Sequence, residues 1–170
     1  MPDTQLLDQI LNTWRVHNRI NLYLLEKIPK SGFEAVPYGS RGRNVAEQFR
    51  HMHRVRVGWL HYHTTGKRPK SDGEKKIPNR KQLLAAFKKS GQEVENFLKQ
   101  ALEENGKTKM FGGQAVRWMG YLISHESHHR GSIMPTAAGW RSNRTACACR
   151  KKFPFKDYGA GGYSGRQNKA

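Results

Sequence analysis

The sequence predicts an all-α protein: a four-helix bundle with a long crossover-type connection and an irregular C-terminal tail. Three observations carry that expectation. Four stretches space apolar residues alternately by three and four, the period of a helix face. Strand-like alternation is absent from the same region. At 170 residues and 36% hydrophobic composition, the chain suits one compact domain with a modest core.

The first helix spans residues 4–28, where Leu7, Ile10, Trp14, His17, Asn21, Leu24 and Ile28 form one stripe. Two of its members are polar. A buried polar group without a partner loses roughly 1–3 kcal/mol, so His17 and Asn21 are candidates for lining an internal polar site. Pro29, Gly32, Pro37, Gly39 and Gly42 break the pattern. A second helix opens at Asn44, an N-cap residue with Glu47 three positions on. It runs to about Thr65 along Val45, Phe49, Met52, Val55 and Trp59. A third runs from about Asn79 to Asn105-Gly106 on Leu83, Leu84, Phe87, Val94, Phe97, Leu98, Ala101 and Leu102. It tolerates Gly91, which costs about 1 kcal/mol relative to Ala. The fourth follows Gly112-Gly113 and carries Val116, Trp118, Met119, Tyr121, Leu122, His125, His129 and Ile133. Helices of this length, about 30–39 Å at 1.5 Å per residue, suit a bundle.

From Pro135 neither period persists, which divides the chain into a bundle over 1–134 and an irregular basic tail over 135–170. Cys147 and Cys149 are too closely spaced for a good internal disulfide. The 31 Lys+Arg against 13 Asp+Glu give a net charge of +18. Lys67, Arg68, Lys70, Lys75, Lys76, Arg80 and Lys81 form the densest run of the body, in a Pro/Gly-punctuated loop. Such a surface favours acidic partners and non-specific nucleic-acid contact. A nucleic-acid-binding module is therefore the reading from a different class, although no helix-turn-helix, zinc-finger or stacking motif supports specific recognition. No apolar run approaches the roughly 18 residues that span a membrane. The segment Met1-Pro2-Asp3-Thr4-Gln5 lacks the basic start and apolar run of a secretory signal, so a cytoplasmic location without a membrane partner is expected.

Eight histidines occur, at 17, 51, 53, 61, 63, 125, 128 and 129. His125 and His129 stand at i, i+4 on one helix face and can share a metal ion. They continue the stripe of Trp118, Tyr121 and Leu122, so both are expected to face the interior. His125-Glu126-Ser127-His128-His129 also matches the zinc-peptidase pattern in which Glu126 would be general base. Those enzymes take a third ligand from downstream, where this chain offers no histidine or glutamate and only Asp157. A third ligand must come from upstream. On the second helix, His51 and His53 flank the apolar stripe on opposite sides, and periodicity does not choose between them. His61 and His63, near the helix end, are expected to face solvent.

His51 followed by Trp59, and the later His125-Glu126-x-x-His129-Arg130-Gly131, resemble the DinB/YfiT-like superfamily. The segments 18–25 and 39–49 are similar to one branch of it, and the resemblance covers residues 4–134. It implies a four-helix bundle whose three histidines hold a divalent metal, commonly zinc or nickel, with an open position. It selects His51 over His53, with His125 and His129 completing the set. By the same resemblance the chain is a thiol S-transferase moving a low-molecular-weight thiol such as bacillithiol, mycothiol or glutathione onto a small electrophile. A metal-dependent hydrolase is the alternative. His17, Asn21, Trp118 and Tyr121 would line the pocket, and Glu126 or His128 would support the ligands. No side chain is assigned as a catalytic nucleophile. Homodimers are common in the family.

Overall fold

The computed structural model describes residues 4–37, 42–69, 77–104 and 108–139. Helix α1 covers Thr4–Lys27, a single short turn α2 covers Lys30–Phe33, and α3 covers Val45–Thr65. Helix α4 covers Arg80–Glu103, a 3-10 turn Phe111–Gly113 follows, and α5 covers Ala115–Gly139. The four long helices were legible in sequence; the short turn α2 and the 3-10 turn were not.

Local chemistry fixes the boundaries. Asn44 Oδ1 accepts from the Glu47 amide at 2.8 Å while the Asn44 amide donates to Glu47 Oε2 at 2.9 Å. The reciprocal pair satisfies two otherwise orphaned donors at the start of α3. Asn79 and Gln82 repeat the arrangement at the start of α4. Gly66 closes α3 at φ 75°, its amide donating to the Tyr62 carbonyl. Within the basic run, Arg80 donates to the Ile28 carbonyl and lies over the Phe33 ring, tying the start of α4 to the end of α1. Residues 70–76 of that run lie outside the described residues.

Helix α1 packs on α4, α4 on α3, α3 on α5, and α5 on α1. The consecutive long helices α1 and α3 are thus diagonal, which is the crossover that the connection between them allows. The core has two apolar ends. One gathers Leu11, Trp14, Val94, Leu98, Trp118 and Leu122; the other gathers Leu25, Ile28, Phe49, Met52, Leu83, Phe87 and Ile133. His17, Asn21, Arg56 and Glu126, all nearly or fully inaccessible, form a polar layer. Helices α1 and α4 approach closely at Gly91. A Cβ there would lie 2.2 Å from Asn18 Nδ2, and the Gly91 carbonyl accepts from Trp14 Nε1 at 2.8 Å. A side chain at this position would have to displace the Asn18 amide, which accepts from Arg56.

The expectation that α5 stops at Pro135 is corrected: the helix continues through it to Gly139. Proline removes one helical hydrogen bond and crowds the carbonyl four residues earlier. That residue is Gly131, and one residue on the Thr136 hydroxyl donates to the Ser132 carbonyl at 2.7 Å. Ile133 and Ala137 pack on the second apolar cluster and hold the helix on course. The expected tail from residue 140 on, with Cys147 and Cys149, lies outside the described residues. Among the described residues, no helix is long and apolar enough to cross a membrane.

Candidate metal centre

His51 on α3 meets His125 and His129 on α5, and one ring nitrogen from each lies within 4.8 Å of the others. His51 Nε2 and His125 Nε2 are 3.3 Å apart. Zinc–imidazole bonds of 2.0–2.1 Å make the edge of a tetrahedron about 3.3 Å, so this spacing suits two ligands on one ion as well as it suits an N–H···N hydrogen bond. All three rings are about half buried. The His51 imidazole is pushed down to about 4 by burial first, then by Arg43, His125 and Arg54. His129 is pushed down to about 4 by burial, then by His125, His51, His128 and Arg43. Burial also lowers His125, against an opposing pull from Glu126. At neutral pH the cluster is therefore three uncharged imidazoles, the protonation state that ligates a metal.

These donors fit a divalent cation. Without one, His125 Nε2 and His51 Nε2 share a single N–H···N hydrogen bond, and His125 Nδ1 is buried with no hydrogen-bond partner among the described residues. Gln48, buried in the first turns of α3, places Oε1 3.3 Å from His129 Nδ1, while its Nε2 donates to the Arg43 carbonyl at 3.4 Å. His129 Nδ1–H thus donates to Gln48, leaving Nε2 as the ring's lone pair toward the other histidines, the usual orientation device of a metal-ligating imidazole. Sequence reasoning missed Gln48; its position one turn before the helix-two histidines was the available signal.

The second polar cluster is wholly internal. Arg56 from α3 donates from Nε and Nη2 to the two oxygens of Glu126 on α5, at 2.5 and 2.7 Å. Its Nη1 donates to Asn18 Oδ1 on α1 at 2.7 Å. The guanidinium lies 4.9 Å from the Trp14 ring and 4.7 Å from the Phe87 ring. This one side chain of α3 therefore touches each of the other three long helices. His17 Nε2 and Asn21 Nδ2 add hydrogen bonds to Glu126 Oε2 at 2.7 and 2.6 Å. Arg130 Nη1 donates to Asn21 Oδ1 at 2.7 Å and faces His17 Nδ1 at 3.4 Å. These contacts fix the tautomer: His17 is neutral, with its proton on Nε2 and its Nδ1 lone pair toward Arg130. Burial lowers the His17 pKa in spite of Glu126, so the pair is a hydrogen bond between a neutral ring and a carboxylate. Burial pushes the Glu126 carboxyl up, but Arg56, by charge and hydrogen bonding, and then His17 outweigh it and hold the group at about 2.

The expected site residues therefore divide. His51, His125 and His129 come together. His17 and Asn21 bind Glu126 in the polar layer. Tyr121 stacks on His125, with ring centres 5.9 Å apart and planes 16° apart. Trp118 is fully buried against His63 and Phe97. His128 is exposed, 5.4 Å from the His129 ring. His53 turns toward Phe87 on α4. Two expectations are corrected. His125 and His129 sit on the flank of α5, because the interior stripe runs through Leu122, Glu126 and Ile133. His63 is 5% exposed and packed among Trp59, Phe97 and Trp118, since it follows Trp59 by one turn on the buried face of α3. Glu126, with both oxygens engaged in the interior, is not placed to act as the general base of a peptidase.

The fold and the three histidines define an all-α bundle with a candidate divalent-metal site between two of its helices. A sequence model of the DinB family matches residues 1–137, and the chain belongs to that family. No curated protein shows a significant match to it.

Proposed function

We propose that the protein is a divalent-metal-dependent thiol S-transferase acting on small electrophiles, with zinc or nickel as the ion. The observation that carries this reading is the convergence of three neutral imidazoles, the only such group among the described residues, at the bundle flank. Three protein ligands leave a position open, the arrangement of a catalytic rather than a structural ion. An ion held there would supply Lewis acidity, under which a coordinated thiol loses its proton. His51, His125 and His129 hold the ion, and Gln48 fixes the ring of His129. The Arg56–Glu126 pair lies one residue beyond His125 on α5 and five beyond His51 on α3, and so sets the register of the two ligand-bearing helices. Transfer then forms a carbon–sulfur bond: the thiolate sulfur attacks the electrophilic carbon, the leaving group departs with its electron pair, and the thiol proton passes to solvent.

The test is thiol consumption by zinc- or nickel-loaded protein, with bacillithiol, mycothiol and glutathione each paired with monochlorobimane. Metal-dependent conjugation of one thiol, absent after chelation and in His125→Ala, is expected. Metal-loaded protein that conjugates none of them but hydrolyses activated esters would replace the transferase reading by the hydrolase one.

A further inference from the structure

Next to the histidines lies a cleft of about 320 Å³. Its walls include Val55, Trp59 and Tyr62 from α3, Met110 ahead of the 3-10 turn, and Tyr121 from α5, with Arg68 as its charged member. Two of these residues connect it to the metal site. Tyr121 is the wall that stacks on His125, and Val55 follows His51 by one turn of α3. The apolar lining is open to water: Tyr121 is 37% and Met110 46% exposed. Clustered apolar exposure of this kind marks a binding groove.

The wall is also built at a conformational cost. Phe111 adopts φ 60°, the left-handed region, and is the only non-glycine among the described residues to do so. For a residue with a Cβ this costs roughly 1–2 kcal/mol. The Phe111 ring lies 4.8 Å from Trp59 and 5.2 Å from Tyr121, two of the cleft's walls. Strained residues held by well-packed surroundings cluster at ligand sites. Arg68 is exposed, and no carboxylate among the described residues pairs with it. A guanidinium recognises a carboxylate or sulfonate through two parallel hydrogen bonds.

We propose that this cleft binds a ring-bearing organic anion, its rings against Trp59, Tyr62 and Tyr121 and its carboxylate or sulfonate on Arg68. On the transferase reading, from which this assignment of role follows, the ligand is the electrophilic substrate: an aromatic acid of one or two rings. Pocket volume limits the size, the aromatic walls select the rings, and Arg68 selects the charge.

The experiment uses two fluorescent probes with one skeleton, 1-anilinonaphthalene-8-sulfonate and its uncharged parent N-phenyl-1-naphthylamine, titrated into the full chain. Wild type is expected to bind the sulfonate at about one per chain and more tightly than the parent. Arg68→Ala weakens the sulfonate roughly tenfold, the scale of a lost charge-assisted hydrogen bond, and leaves the parent within twofold. Tyr121→Ala weakens both. Lys88→Ala, which removes a cation on the α1–α4 side, leaves both within twofold. Equal loss in Arg68→Ala and Lys88→Ala would reduce the effect to general charge attraction and overturn the proposal. So would tighter binding of the uncharged parent, or no change in Arg68→Ala. Titrations run on chelated and zinc-loaded protein are expected to show the same Arg68 dependence. Failure of the metal reading, seen as absence of bound metal, is thereby distinguishable from failure of this one.

Discussion

His125 and Glu126 are neighbours in the chain, yet they belong to clusters of opposite character. Glu126 is fully buried and accepts hydrogen bonds on both oxygens from Arg56, with His17 and Asn21 sharing one of them. His125 is half-buried, with Nε2 hydrogen-bonded to His51 Nε2 and Nδ1 without a partner among the described residues. The internal cluster has its hydrogen bonds satisfied by protein alone. The flanking cluster leaves His125 Nδ1 unsatisfied among the described residues, and its three ring nitrogens could hold a cation. A satisfied buried network fixes geometry; an unsatisfied half-buried one accepts a ligand. The bundle keeps the two one residue apart, so rigidity is built beside the place where it is used.

Breaking the internal cluster has the largest expected effect. Glu126→Ala leaves Arg56 charged and unpaired at 0% exposure, and removing one partner of such a pair costs roughly 3–5 kcal/mol. Urea unfolding should show a loss of that size. A loss below 1 kcal/mol would mean that Arg56 finds water or another acceptor.

Acid should separate the clusters by pH. Glu126, held at about 2 in the folded protein against an ordinary 4.5, contributes stability that is complete above 4.5 and lost as pH falls through about 2. His51 and His129, held at about 4 against 6.5, favour the folded state fully above 6.5 and lose that contribution as pH falls through 4. The urea midpoint of metal-free protein is expected to be flat above pH 6.5, to decline toward pH 4, and to fall further below 4.5. In Glu126→Gln the last fall becomes shallower while the first remains. A midpoint that rises on acidification contradicts both assignments.

Smaller effects sharpen the flanking cluster. Gln48→Leu keeps the volume but removes the acceptor that orients His129. Outer partners of metal ligands are worth about 10–100-fold in affinity, and competition with a chelating dye should show a weakening in that range. His53→Ala and His128→Ala should each change metal affinity by less than about threefold, since one ring turns to Phe87 and the other lies outside the set of three. Loss at His53 equal to that at His51 would place the α3 ligand wrongly.

The long helices and the His125/His129 pair were legible because periodicity, capping pairs and histidine spacing are local. Family resemblance selects His51 over His53, since the two flank the apolar stripe of α3 equally. The internal network was not, for a physical reason. The buried face of α3 runs through Val45, Phe49, Met52, Arg56, Trp59 and His63, a regular alternation of fours and threes. Reading charge as exposure replaced Arg56 by Val55 and sent His63 to the surface. Glu126 was hidden in the same way on α5. A charged residue at a core position can be read only together with its partner, and Arg56 and Glu126 are 70 residues apart. Phe111 left no signal, because the neighbouring glycines announce a turn but not which residue takes the strain.

The proposed chemistry requires a metal ion at the flanking cluster of His51, His125 and His129. The direct measurement is metal content per chain by plasma mass spectrometry on tag-free protein, wild type beside His125→Ala, each after reconstitution with zinc or nickel. Close to one ion per chain in wild type and close to none in the variant is the predicted result. No bound metal in either protein, or equal metal in both, would contradict it and leave the three histidines as a structural cluster.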